Sequence, residues 1–144
     1  MRKLRKQSGA NSRLQPETPI FFLDRNLGKH MIAARLRSEG IKVEVHDDHL
    51  PADAPDEEWI ALVGQRGWVA VTRDKNIRYR TAEINAIRRH SARVVVIRMK
   101  YATGPQMAEL LVKERHRIAR FVVKTKAPFI AGLSRGSTMQ AYKI

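Results

Sequence analysis

The sequence predicts an α/β fold with a central, mostly parallel sheet, and three observations lead there. Short apolar, β-branched runs alternate along the chain with longer segments of helical periodicity. Two of those runs, Ile20-Phe21-Phe22-Leu23 and Trp68-Val69-Ala70-Val71, are near-continuously apolar, as strands are when helices cover both faces of their sheet. The length of 144 residues is that of one domain, enough to bury roughly 68–70% of the surface an unfolded chain exposes. Strands alternating with helices pair in parallel through right-handed crossovers, so their carboxyl ends share one edge. The expected strand order is about 2-1-3-4, followed by a C-terminal β-hairpin.

Residues 1–18 are polar and basic, broken by Gly9 and Pro16, and read as a flexible arm, with a single domain over 19–144. The first strand covers Ile20 to Asp24. Asn26 is a plausible cap for a helix reaching about Glu39, with Leu27, Met31 and Ala34 on one face, Ile32 and Leu36 beside it, and Gly40 as its stop. Ile41 to Val45 is the second strand, followed by a loop with Pro51 and Pro55. A second helix runs from near Asp56 through Trp59, Ile60 and Val63 to Arg66, and Gly67 closes it. The third strand is Trp68 to Asp74. A short helix over Ala82 to Arg89 leads to the fourth strand, Arg93 to Ile97. Gly104-Pro105 opens a long helix to about Val123, with Met107, Leu110, Leu111, Ile118 and Phe121 as its buried stripe. Two β-like pieces around Ser134-Arg135-Gly136-Ser137 make the hairpin. Trp59 and Trp68 belong to the core.

Charge narrows the function. The 28 Lys+Arg against 14 Asp+Glu give a net charge of +14, the balance expected of a partner to a polyanion such as nucleic acid. The carboxylates are concentrated: Glu44, Asp47, Asp48, Asp53, Asp56, Glu57 and Glu58, half of the total, fall between residues 44 and 58, where no Lys or Arg intervenes. With no cysteine, disulfides and thiolate metal sites are excluded, and the cytoplasm is the expected compartment. No apolar run approaches the roughly 18–20 residues of a membrane span, and no signal-peptide core follows the basic start.

Parallel pairing turns scattered acids into neighbours. Asp24, Asp47/Asp48 and Asp74 end the first three strands, and Asp56 and Glu57 open the helix that leaves the second. The crevice at the switch point lies between strands one and three, flanked by Asp24 and Asp74. Adjacent strands are about 4.8 Å apart, so carboxylates there repel one another unless a cation neutralises them. A hard divalent ion, Mg²⁺ or Mn²⁺, on oxygen ligands meets that need, with Asp24, Asp48, Asp56, Glu57 and Asp74 as candidate metal ligands. In a basic surround the expected chemistry is phosphodiester hydrolysis, with Arg73, Lys75, Arg78 and Arg80 placed to bind the flanking backbone phosphates.

Three stretches carry a family resemblance: Ile20-Phe21-Phe22-Leu23-Asp24-Arg25-Asn26-Leu27, Ala54-Pro55-Asp56-Glu57-Glu58-Trp59 and Val71-Thr72-Arg73-Asp74-Lys75-Asn76-Ile77-Arg78. In this order they resemble the compact PIN-like nucleases, relatives of the VapC-type ribonuclease toxins of toxin–antitoxin pairs. The resemblance implies a three-layer PIN-like (Rossmann-like) fold and a metal-dependent endoribonuclease. Asp24, Asp56 or Glu57, and Asp74 would be its catalytic acids, with Thr72 and Asn26 in support. It also implies a cognate antitoxin as partner and leaves a homodimer open. Position 25 is Arg where many relatives carry a second acid, and the fourth strand ends in Arg98-Met99-Lys100 without the downstream acid of longer PIN domains.

Blander readings stand beside these. Strand-end Asp residues also form turns, and Asp56, Glu57 and Glu58 suit a helix N-terminus on dipole grounds alone. His46 and His49 lack further ligands for a transition-metal site. Gly132-Leu133-Ser134-Arg135-Gly136 fits the nucleophile-elbow pattern, but no His follows Ser134, and a hairpin turn explains it better. The alternative functions are a catalytically inactive nucleic-acid-binding module of the same fold and, more weakly, a receiver-like phosphoacceptor domain built on Asp74.

Overall fold

The computed structural model of the chain describes residues 16–28 and 30–144. Residues 1–15 of the expected arm lie outside the described residues. Six strands form one sheet: β1 (Phe21–Leu23), β2 (Val43–Val45), β3 (Val69–Thr72), β4 (Arg93–Ile97), β5 (Phe129–Leu133) and β6 (Gln140–Ala141). Their order is β2-β1-β3-β4-β5-β6. The first five are parallel and β6 closes antiparallel on β5. The expected order of the first four strands is therefore found. The C-terminal hairpin is found too, with its first arm extending the parallel sheet beside β4.

Strand alternation assigns every side chain to a layer. Phe21, Leu23, Val69, Val71, Val95, Ile97, Phe129 and Leu133 pack with the helices α1 (Met31–Ser38) and α4 (Gly104–Lys124). Phe22, Ala70, Val94, Val96 and Ile130 pack with α2 (Asp56–Arg66) and α3 (Thr81–His90) on the other face. Both faces are dry, which is why these strands read as unbroken apolar runs. Trp59 and Trp68 are buried, each stacked 6.1 Å from the Phe22 ring.

Helix α2 and strand β4 occupy the residues expected for them. Gly67 ends α2 in the left-handed conformation, at φ 71°. Thr103 caps α4 through a reciprocal pair with Gln106, the Thr-x-x-Gln form of the capping box. The first helix differs from expectation. Asn26 does not cap it: residues Arg25–Leu27 form a 3-10 turn capped by Asp24, and α1 begins only at Met31. Its buried residues are Ile32, Ala33 and Leu36, whereas Met31 is exposed. The side chain of Asn26 is engaged elsewhere, across the sheet edge.

Candidate active site

The same alternation that builds the layers aims the acids. Leu23 faces α1 and α4, so Asp24 turns to the α2/α3 side, and so does Thr72, one residue after Val71. Because Leu23 pairs with Val71, Asp24 and Thr72 stand side by side at the carboxyl ends of β1 and β3. Thr72 Oγ1 donates to Asp24 Oδ2 at 2.8 Å. The same oxygen accepts the Asp74 backbone N–H and the Asn26 side-chain amide, both at 3.1 Å. Asn26 Oδ1 in turn accepts the backbone N–H of Arg73 at 3.4 Å. One buried hydroxyl thus spends its single donor and both acceptor positions tying together the two strand ends.

Asp24 is buried and accepts the Arg25 N–H at 2.6 Å. Burial pushes its carboxyl above the ordinary range, against the hydrogen bonds from Thr72 and Arg25 N–H; the charge of Asp56 adds to the rise and that of His46 opposes it. Asp56 opens α2 on this side, with Oδ1 accepting the Trp59 indole N–H at 3.0 Å. A core tryptophan therefore orients an acid at the rim.

Asp74 caps the 3-10 turn Lys75–Tyr79 by accepting the Asn76 N–H at 3.0 Å, and it forms an ion pair with Arg80. Arg80 also contacts Glu83 Oε1 at 3.2 Å. Burial works against the Arg80 charge, but the Glu83 hydrogen bond and the charges of Asp74, Glu83 and Asp56 hold its pKa above the usual range. Glu83 was not singled out by its position in the sequence. The available signal was Arg80 preceding it by three residues at the start of a helix, a spacing that brings the two side chains together.

Of the remaining candidates, Asp48 lies exposed in the 3-10 turn His46–Asp48, and Glu57 is exposed in the first turn of α2. His49 is paired to Glu44 at 2.7 Å and its ring sits 5.2 Å from Trp68, while buried His46 sits 6.1 Å from Phe22. These two histidines border the aromatic core. Arg73 and Lys75 line a cleft near the ends of β3 and β4, and Arg78 lies 4.0 Å over the Tyr142 ring. Gly132 and Leu133 are strand residues of β5, and the chain after them turns into β6, so the nucleophile-elbow pattern has no helix to serve.

The donor chemistry suits a hard cation: carboxylate oxygens of Asp24 and Asp74 with Asp56 close enough to act on Asp24 electrostatically. Among the described residues, however, no three His, Cys, Asp or Glu side chains form a group able to hold a metal ion by themselves. Mg²⁺ commonly takes only one or two carboxylates and completes its octahedron with water and substrate phosphate, so the residues present fit an ion of that kind.

The family described as "PIN like domain" matches residues 19–99, more than half of the chain and all of the acidic edge. This chain belongs to the PIN-like domain family. A relative from Mycobacterium tuberculosis (strain ATCC 25618 / H37Rv), named "Putative ribonuclease VapC45", is 26% identical over 113 residues, covering 76% of this chain and 81% of the relative. No solved structure matches this chain. The PIN-like domain here is built on a mostly parallel sheet with Asp24 and Asp74 following β1 and β3, and none of its described helices is long and apolar enough to cross a membrane.

Proposed function

We propose that this chain is a metal-dependent endoribonuclease and the toxin of a toxin–antitoxin pair, acting in the cytoplasm. The observation that carries the reading is the placement of Asp24 and Asp74 after the parallel strands β1 and β3, with Asp56 opening α2 near enough for its charge to act on Asp24, in a protein of net charge +14. Membership of the PIN-like family and similarity to a protein named as a ribonuclease support it.

In this reading Asp24 and Asp74 are the principal ligands of Mg²⁺ or Mn²⁺, with Asp56 or the neighbouring Glu57 completing the acid set and Asp48 as an outer contributor. When bound, such an ion supplies an acidified water and positive charge for the phosphoryl oxygens. Thr72 holds Asp24 in place and Asn26 fixes Thr72, the second tier of contacts that orients ligands. Arg73, Lys75 and Arg78 bind flanking RNA phosphates. Arg80, its side chain 39% exposed beside Asp74, meets a phosphate from within the acid cluster. The partners are RNA and a cognate antitoxin, with a homodimer as a further expectation.

Purified protein with Mg²⁺ or Mn²⁺ should cut single-stranded RNA, and Asp24→Asn or Asp74→Asn should lose cutting while remaining folded. Wild-type cleavage by both variants would refute the assignment. A second reading, a nucleic-acid-binding module without chemistry, draws on two observations: the residue after Asp24 is Arg25 and not a second acid, and Asp74 already has a cationic partner in Arg80. A calorimetric Mn²⁺ titration separates them, since the inactive module takes up no ion.

A further inference from the structure

Beyond the carboxyl ends of β3 and β4 lies a cleft of about 440 Å³, lined by Arg73, Lys75, Arg98, Lys100 and Tyr101 together with the apolar side chains of Ile97, Met99 and Met107, of which Ile97 and Met107 belong to the α1/α4 layer. Its location follows from strand pairing. Thr72 lies beside Val96, so the residues leaving β3 and those leaving β4 run next to each other, and Arg73 and Lys75 flank Asp74 in the chain. Four of the lining residues are cations and none is an acid.

Tyr101 is the unusual member. It is 89% exposed, and its backbone is left-handed at φ 56°. A bulky residue at positive φ costs of order 1–3 kcal/mol, and such outliers gather at ligand sites. The Lys100 ammonium lies 5.8 Å from the Tyr101 ring centroid. Arg98 is fixed below: its backbone N–H bonds to Leu133 O at 2.8 Å and its guanidinium donates to the Tyr142 hydroxyl at 2.8 Å. An exposed ring beside an anchored arginine and an adjacent lysine is what stacking on unpaired bases and tracking of a phosphate backbone require.

We propose that this cleft is a single-stranded RNA subsite, in which Tyr101 stacks on an unpaired base while Arg98 and Lys100 hold the adjoining phosphates and lead the strand across Arg73 and Lys75 to the acidic edge. The proposal rests on the ribonuclease reading for its choice of RNA. Single strands are selected because a base already stacked in a duplex has no free face to offer the ring. Charge complementarity alone would accept either form; the aromatic ring is what discriminates.

The test is binding, measured without cleavage. Fluorescence anisotropy in EDTA follows a labelled eight-nucleotide RNA and a blunt duplex RNA of matched length on the full chain, with thermal melts confirming that each variant is folded. Tyr101→Ala should weaken single-strand binding about tenfold or more while Tyr101→Phe preserves it, as loss of one base–aromatic stack predicts. Lys100→Ala should flatten the slope of log affinity against log salt by about 0.7, the single-strand increment for one phosphate contact. Tyr101→Ala binding as wild type, or a duplex bound as tightly as the single strand, overturns the proposal. A wild-type protein that binds through Tyr101 yet never cuts would refute the nuclease reading and leave the subsite standing, whereas cutting that depends on Asp74 with binding indifferent to Tyr101 would do the reverse.

Discussion

Arg80 folds back over the 3-10 turn after β3 and pairs with the carboxylate of Asp74, six residues behind it. Its guanidinium is shared with Glu83, so the chain supplies its own cation at the rim where an ion would sit. A part-exposed pair of this kind contributes at most about 1 kcal/mol. That is enough to compete with a weakly held metal and too little to exclude it. Arg80→Ala should therefore tighten Mn²⁺ binding by roughly two- to fivefold in a calorimetric titration. An unchanged or weaker affinity would show that Arg80 does not compete for Asp74.

Asp24 gives a pH dependence whose sign is fixed by burial. Its folded pKa lies above the model-compound value of 3.8, so between those two values the native state holds the extra proton. Stability then falls as pH rises through that window and stays lower above it. Asp24→Asn removes the ionisation. Its stability relative to wild type should grow as pH climbs from below 3.8 towards neutrality. Urea melts across pH check this, and a constant difference between the two proteins would exclude the burial effect.

Thr72 is the hub that joins the strand ends. Thr72→Val keeps the shape and removes the hydroxyl, leaving buried Asp24 without its side-chain donor and Asn26 and the Asp74 N–H without their acceptor. An unsatisfied buried polar group costs about 1–3 kcal/mol, and disturbed orientation of a ligand costs about 10–100-fold in metal affinity or activity. Thr72→Ser should recover most of both. Equal losses in Val and Ser variants, by denaturation and cleavage assay, would assign the effect to packing.

The fold was legible because its signals are short-range and agree with one another. Val69 to Val71 is apolar at every position because both sheet faces are covered, and Gly67 marks the end of α2 because only a left-handed residue stops it there. Asn26 misled for a physical reason: Asn caps helices through its side-chain oxygen, but here that oxygen accepts the distant backbone N–H of Arg73 while the amide donates to Thr72. That competition depends on sheet pairing and leaves no trace in local sequence. The acidic edge could be inferred from parallel topology alone. The ties within it were legible only in part: Asp56 and Trp59, like Arg80 and Glu83, stand three residues apart at a helix start, a spacing that permits contact but leaves the rotamer to be settled in three dimensions. Tyr101 carried no sequence signal, its exposure and positive φ being properties of the folded loop.

Gly64 offers a test of the packing beneath the site. It lies about two turns along α2 from Asp56, where α2 crosses α3, and a Cβ added to it would come 2.2 Å from the His90 carbonyl oxygen and 2.8 Å from His90 Cβ. Two effects oppose each other in Gly64→Ala. Helix propensity favours alanine by about 1 kcal/mol, but the clash is with backbone at the end of α3, which cannot rotate away as a side chain would. Overpacking of this kind costs about 1–3 kcal/mol or more, so the clash prevails and the variant should be destabilised. In urea the midpoint should drop with the slope unchanged, and RNA cleavage per folded molecule should remain near wild type because the strand ends are distant from the contact. A variant at or above wild-type stability would mean that α2 and α3 separate at little cost.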